Sequence, residues 1–107
     1  MAISPTQRTL KRLREKEEYP LVTIVERWNA FAKIRQDLFG IIDILAIDTK
    51  GNTVGLQVTS YSNISARVKK MENSDAISHL RDANWKLIVE GWHKKDNKWV
   101  SRIVDIS

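Results

Sequence analysis

The stretch Phe39-Gly40-Ile41-Ile42-Asp43-Ile44-Leu45 places one carboxylate inside an almost continuously apolar run. Apolar residues on both sides of Asp43 predict a strand over residues 38–48 that is covered on both faces, as a central strand of a sheet is. A buried carboxylate is costly unless it is paired, hydrogen-bonded or bound to a metal. Asp43 is therefore the first candidate functional residue, and the alternative is a buried acid paired with Arg35 or Arg27.

The segments around this strand predict an α/β chain with the element order α-β-β-β-α-β-β. Ser4 is a suitable N-cap and Pro5 a suitable first residue for an N-terminal helix over residues 4–17. Residues 29–36 are ambiguous and favour a loop or short turn. Further strands are predicted over 21–28, 53–60, 85–93 and 99–106, and further helices over 63–73 and 75–82. The pattern indicates a mixed central sheet of about five strands flanked by helices.

Two polar residues interrupt the apolar strand that follows Asp43 in the chain. Lys50-Gly51-Asn52 is a turn signal, and so short a connection predicts a hairpin between the two strands. Gln57 and Thr59 lie two positions apart and share a face of the second strand. The hairpin is expected to bring both beside Asp43, where carboxylate and carbonyl oxygens suit magnesium.

Composition narrows the class of protein and its partners. A chain of 107 residues fits one domain, taken as residues 1–107. It has no cysteine, no apolar run long enough to span a bilayer and no signal-peptide pattern, so we expect an intracellular, cytoplasmic protein without membrane contact. The net charge of +5 favours an anionic partner, with nucleic acid first.

An N-terminal helix, a strand, a Gly-x-x-Asp strand (Gly40 to Asp43) and its hairpin partner form a layout that resembles the PD-(D/E)XK nuclease-like superfamily. In size and order the chain is most similar to small archaeal-type Holliday junction resolvases, over about residues 4–75. The resemblance implies a restriction-endonuclease-like fold and a metal-dependent DNA endonuclease that acts on branched or recombining DNA. It also implies Mg²⁺ or Mn²⁺ as the cofactor, no organic cofactor, and a homodimer.

The resemblance also assigns roles to individual residues. Asp43 takes the place of the metal-binding aspartate, and Gln57 that of the second acid. Glu26, on the first predicted strand, matches an additional acid that some members contribute, so the expected metal ligands are these three residues. Thr59 stands where the family has its catalytic lysine, which would orient the attacking water and stabilise charge on the phosphate.

A lysine from another element must therefore complete a catalytic site. Lys70, on the helix after the Gln57 strand, is favoured, and Lys33 is the second candidate; Lys69 and Arg35 remain open. Asp37 is either a further site acid or a solvated loop acid. DNA-binding roles are expected for six basic residues, the alternative being solvated helix faces: Arg8, Lys11, Arg12, Arg35, Arg67 and Lys69.

Two other functions stay open from the sequence. Since the motif lysine is missing, the chain is alternatively a catalytically inactive nuclease-fold module for DNA binding or assembly. A small partner-binding protein that needs no metal would account for the four tryptophans at positions 28, 85, 92 and 99.

Overall fold

The computed structural model describes residues 3–107, and a mixed five-stranded sheet organises that part of the chain. The helices are α1 (Pro5–Arg14), α2 (Ile64–Glu72) and α3 (Ile77–Asp82), with a 3₁₀ turn at Tyr61–Asn63. The strands are β1 (Leu21–Ile24), β2 (Arg27–Asn29), β3 (Ile34–Gln36), β4 (Ile44–Ile47), β5 (Thr53–Ser60), β6 (Lys86–Lys95) and β7 (Lys98–Asp105).

The main sheet has the order β1-β4-β5-β6-β7, and β5 and β6 are its parallel pair. All other neighbours in this sheet are antiparallel. Parallel neighbours need a crossover connection, which α2 and α3 supply here. The predicted mixed central sheet flanked by helices is confirmed. No helix within residues 3–107 is long and apolar enough to cross a membrane.

Helix α1 covers one face of the sheet. Its N-terminus is capped as predicted, because the Ser4 hydroxyl accepts a hydrogen bond from the Gln7 backbone N–H at 3.2 Å. Leu10 and Leu13, one turn apart, pack into a core that includes β4 and β5 residues such as Leu56. The hydrophobic stripe of α1 therefore faces the sheet, and its basic residues Lys11 and Arg14 are exposed to solvent.

Helices α2 and α3 cover the opposite face. Ile64 and Met71 of α2 are buried with Leu87 and Val89 of β6. Gly91 in β6 lies directly against Ile64, and a Cβ at this position would overlap the isoleucine side chain. A glycine in this strand is explained by close helix–sheet packing.

The first predicted strand, residues 21–28, is wrong in its extent. The chain leaves the main sheet after Ile24, and β2 pairs with β3 in a separate antiparallel hairpin. The loop or short turn expected over residues 29–36 is confined to residues 30–33, and strands take up both ends of that segment. Glu26 lies in the link between β1 and β2 and not on a strand. Val22, Ile24 and Val25 of this segment pack against the hydrophobic cores, whereas Arg27 and Trp28 are exposed, so no burial holds this later part of the segment on the sheet.

The second predicted strand, residues 38–48, is shorter than expected. Residues 38–42 form a tight turn, closed by a hydrogen bond of 2.9 Å from the Leu38 N–H to the Ile42 carbonyl. Phe39 and Gly40 both adopt positive φ, at 54° and 77°, which is incompatible with a strand. Strand β4 begins at Ile44, so Asp43 lies immediately before the strand and not in its middle.

A buried ion pair connects α1 to the centre of the sheet. Glu90 in β6 is fully buried and receives two hydrogen bonds from the Arg12 guanidinium, at 2.8 and 2.9 Å. The Ser101 hydroxyl donates a third, at 2.7 Å. Nearby, the Trp92 indole N–H donates to the Thr9 hydroxyl at 2.8 Å. These polar contacts determine how α1 is positioned on the sheet.

We expect Arg12→Ala to lower the free energy of unfolding by about 3–5 kcal/mol, because it leaves a buried carboxylate without its cation. Arg14→Ala removes an exposed cation of the same helix and should change stability by less than about 0.5 kcal/mol. Urea denaturation of both variants measures the difference. Equal, small losses would show that the Arg12–Glu90 pair is not what anchors α1.

Candidate metal centre

The Asp43 side chain occupies the point where β4 and β5 separate. Pairing of the two strands begins at Ile44 and Leu56, and the chain before Asp43 turns away from β5. One carboxylate oxygen of Asp43, Oδ2, accepts a hydrogen bond from the Val58 backbone N–H at 2.8 Å. If β4 continued along β5, a backbone carbonyl of β4 would accept the hydrogen bond from the Val58 N–H. The Asp43 carboxylate takes the place of that carbonyl.

Two further acids lie beside Asp43. Carboxylate oxygens of Glu26, Asp37 and Asp43 lie within 4.8 Å of one another. The three acids, hereafter the acid cluster, come from the β1–β2 link, the segment after β3 and the segment before β4. The β2–β3 hairpin pairs Arg27 with Gln36, and this register places its two flanking acids at the base of the hairpin.

The acid cluster has fewer cations than carboxylates around it. Arg35 is 3.2 Å from Glu26, and Lys70 is 3.8 Å from Asp37. Within residues 3–107 no cation is paired with Asp43, so the alternative of a buried pair with Arg35 or Arg27 is wrong. A buried carboxylate without a cation is an unusual and expensive arrangement.

The protonation of Asp43 reflects this environment. Burial raises its pKa from 3.8 to about 7, and the hydrogen bond with the Asp37 carboxyl group and the charges of Asp37 and Glu26 act in the same direction. The Val58 N–H opposes the shift, because it stabilises the carboxylate form. A divalent cation would reverse the balance by favouring all three carboxylates in their charged form.

Gln57 completes the interior side of the site. Its side chain is buried, and its Nε2 donates to Asp43 Oδ2 at 2.6 Å. Its carbonyl oxygen Oε1 is the buried side-chain atom without a hydrogen-bond partner among the described residues. This unsatisfied acceptor belongs to the amide that contacts Asp43, and a bound water or a metal would satisfy it.

The structure separates the lysine candidates. Lys70 on α2 is the one that contacts the acid cluster, through Asp37. Lys33 lies exposed in the turn between β2 and β3, and Lys69 is exposed on α2. Thr59, at the family's lysine position, is buried and carries no charge.

The six expected DNA-binding residues are spread over several surfaces. The Arg8 guanidinium lies 3.9 Å from the centre of the Trp99 ring, and Arg12 is committed to Glu90. Arg35 contacts Glu26, which brings it to the acid cluster. The others are Lys11 and Lys69, which are exposed, and Arg67, which is half-buried. Their role in DNA binding stays a prediction.

Asp37 is the residue that the sequence left between two interpretations. It joins the cluster because the chain between it and Glu26 returns on itself as a hairpin. The signal in the sequence is weak, since the turn residues Ala30-Phe31-Ala32-Lys33 lack the usual Asn-Gly or Asp-Gly pattern.

We expect the metal-free protein to lose stability as the pH rises from about 4 to about 7. A raised folded-state pKa means that the folded chain holds a proton that the unfolded chain releases in this window, so deprotonation favours unfolding. Asp43→Asn should flatten this dependence and be more stable than the wild type at pH 8, by at most ~4 kcal/mol. Denaturation in EDTA at several pH values measures it.

The exposed Asp75 provides the control, because Asp75→Asn should leave the pH dependence as it is in the wild type. A wild-type stability that is flat between pH 4 and 7 would contradict a buried, proton-binding Asp43.

Comparison with protein-family models, curated proteins and solved structures found no match. The chemistry of the acid cluster, Gln57 and Lys70 is thus the basis on which a function is proposed.

Proposed function

We propose that this protein is a metal-dependent phosphodiesterase that cleaves DNA, an endonuclease of the PD-(D/E)XK type. The observation that carries the proposal is the convergence of Glu26, Asp37 and Asp43, with the buried Gln57 amide hydrogen-bonded to Asp43. Three carboxylates and a neutral carbonyl oxygen are the ligand types that magnesium and manganese prefer.

The acid cluster would hold the metal, with Gln57 in support. The Gln57 amide N–H and the Val58 N–H both bind Oδ2 of Asp43, which fixes the orientation of this carboxylate and leaves its second oxygen available as a ligand. When bound, a divalent cation lowers the pKa of a coordinated water and neutralises charge on the scissile phosphate. Glu26 and Asp37 are partly accessible, so the site opens to solvent on their side.

Lys70 is the residue that we assign to the missing motif lysine. Its ammonium group lies 3.8 Å from Asp37 and its side chain is 44% exposed, so it lines the accessible side of the acid cluster. Together with Arg35, Asp37 and Gly40 it borders an open cleft at this position. A cation there is placed to stabilise negative charge on a phosphate group bound at the cluster.

The order of elements supports the same proposal. A helix, three antiparallel strands of the main sheet and then two helices precede a further strand pair, in the order that the resemblance to PD-(D/E)XK nucleases implies. The net charge of +5 favours a polyanionic substrate. A homodimer on branched DNA remains part of this proposal.

A catalytically inactive DNA-binding module is the second candidate. It is favoured by Thr59, which is buried and uncharged at the position of the motif lysine. It is also favoured by the bond from Val58 to Asp43, which gives the carboxylate a structural role without any metal. Metal binding and cleavage separate the two candidates.

Metal binding should be visible as stabilisation, independently of activity. At pH 8, Mg²⁺ or Mn²⁺ at about 100 times its Kd should raise the free energy of unfolding by ~2.7 kcal/mol. Asp43→Asn should abolish this gain, and Glu26→Gln and Asp37→Asn should weaken it. A melting temperature that is the same with metal and with EDTA would remove the metal centre from the proposal.

Cleavage is tested on single-stranded, duplex and four-way-junction DNA with Mg²⁺ or Mn²⁺. The wild type should cleave at least one of them, and Asp43→Asn should not. Lys70→Ala should lower the single-turnover rate by about 100-fold or more, with little change in DNA affinity. Lys33→Ala tests the second lysine candidate and should leave the single-turnover rate at saturating protein nearly unchanged.

Lys94→Ala, at the end of β6 and remote from the acid cluster, is the matched control for loss of one exposed lysine. DNA binding by the wild type without cleavage under any of these conditions would exclude the nuclease and leave the inactive module. Equal effects of the Lys70 and Lys94 substitutions would show that Lys70 acts only through net charge.

A further inference from the structure

The β2–β3 hairpin exposes large apolar side chains. Phe31, in its turn, is fully exposed, Trp28 in β2 is 62% exposed, and Ile34 in β3 is 50% exposed. None of the three belongs to either hydrophobic core of the described chain. Aromatic side chains are normally buried because their burial is a large stabilising contribution, so exposing two of them on one short hairpin points to a binding surface.

The same hairpin is strongly basic. Residues 27–36 contain Arg27, Lys33 and Arg35 and no acidic residue. All three cations are exposed along the hairpin. Alternation of exposed aromatic and basic side chains suits a polyanion that also presents flat apolar groups, which is the chemistry of single-stranded nucleic acid.

A cleft of about 450 Å³ lies at the base of the hairpin. Trp28 and Phe39 provide its aromatic walls, and Asn29, Gln36 and Asp37 provide polar groups. Asp37 is also a member of the acid cluster, so the cleft adjoins the candidate metal centre. A group bound in the cleft would therefore lie next to a phosphate bound at the acid cluster.

Phe39 has a backbone conformation that is unfavourable for a phenylalanine. Its φ of 54° is in the left-handed region, which is strained for a bulky side chain. Phe39 is nonetheless 57% exposed, and the aromatic ring that it contacts within residues 3–107 is that of Trp85, with the centroids 6.2 Å apart. Strained residues concentrate at binding sites, where the position of the side chain matters more than its contribution to stability.

We propose that the β2–β3 hairpin and the cleft at its base bind unpaired DNA bases, with Trp28 and Phe31 stacking on them. This specifies the substrate class, DNA with unpaired nucleotides beside the cut, and it rests on the proposed function for the identity of the polyanion. Base stacking on aromatic side chains tolerates any sequence, so the hairpin recognises the absence of pairing and not a base order. Arg27 and Lys33 contact the backbone of the unpaired strand.

The test compares the affinity for two fluorescein-labelled DNAs of equal length, a fork with single-stranded arms and a fully paired duplex. Binding is measured by anisotropy in EDTA, so that no cleavage occurs. The wild type should prefer the fork by about tenfold or more, and Trp28→Ala/Phe31→Ala should remove most of this preference. Affinity for the paired duplex should change by less than about twofold, because phosphate contacts are retained.

Phe31→Ala alone guards against a folding defect, since a fully exposed ring contributes nothing to the core. It should lower the affinity for the fork while the melting temperature stays at the wild-type value. Leu21→Ala, which removes an exposed apolar side chain from the edge strand β1, is the matched control and should leave both affinities unchanged. Quenching of a fork that carries 2-aminopurine in its arm reports stacking directly; Phe31→Leu should weaken that quenching, and Trp28→Ala/Phe31→Leu should remove it.

Several outcomes overturn the proposal. These are equal wild-type affinity for the two DNAs, equal losses of affinity for both DNAs, and retention of fork binding and quenching by Trp28→Ala/Phe31→Leu. If Trp28→Ala/Phe31→Ala has a different sedimentation mass from the wild type but the same affinity for the fork, the hairpin is a self-association surface instead. Fork preference without cleavage under any metal condition refutes only the nuclease, whereas cleavage that is unaffected by the hairpin variants refutes only this inference.

Discussion

The hydrogen bond between the Asp43 carboxylate and the Val58 N–H is the constraint around which the site is built. It lies where β4 leaves β5, and it replaces the backbone acceptor that the sheet loses there. Because the acceptor that replaces the backbone carbonyl is a carboxylate, this hydrogen bond places an ionisable group in the interior. Burial then raises the pKa of Asp43 and makes the site receptive to a proton or to a cation.

The β2–β3 hairpin brings two further acids to Asp43. By returning the chain on itself, it places Glu26 and Asp37 on either side of its base and next to Asp43. The same hairpin carries Trp28 and Phe31 into solvent. One local element thus assembles the proposed metal ligands and exposes the surface that we propose for unpaired bases, which makes a connection between binding and catalysis physically direct.

Glu90 and Asp43 are both buried acids, but their surroundings are opposite in character. On the α1 face, Glu90 is paired with the Arg12 cation through both carboxylate oxygens and also accepts from the Ser101 hydroxyl. At the acid cluster, Asp43 accepts hydrogen bonds from N–H donors and has no paired cation among residues 3–107, and Gln57 keeps an oxygen that is unsatisfied within the same residues. A fully paired charge holds the fold together, while an incompletely paired one favours binding of an additional partner.

The sequence by itself determined the helices and the five strands of the mixed main sheet, together with the burial of Asp43 and Gln57, because hydrophobic periodicity and turn residues act locally. It identified Lys70 as the favoured lysine, and the structure places that lysine at the acid cluster; whether it is catalytic is a prediction. Only the tertiary structure decided that β1 ends at Ile24, that Asp37 joins the acids and that Arg12 is committed to Glu90. These three facts depend on contacts between segments distant in the chain, which no local pattern encodes.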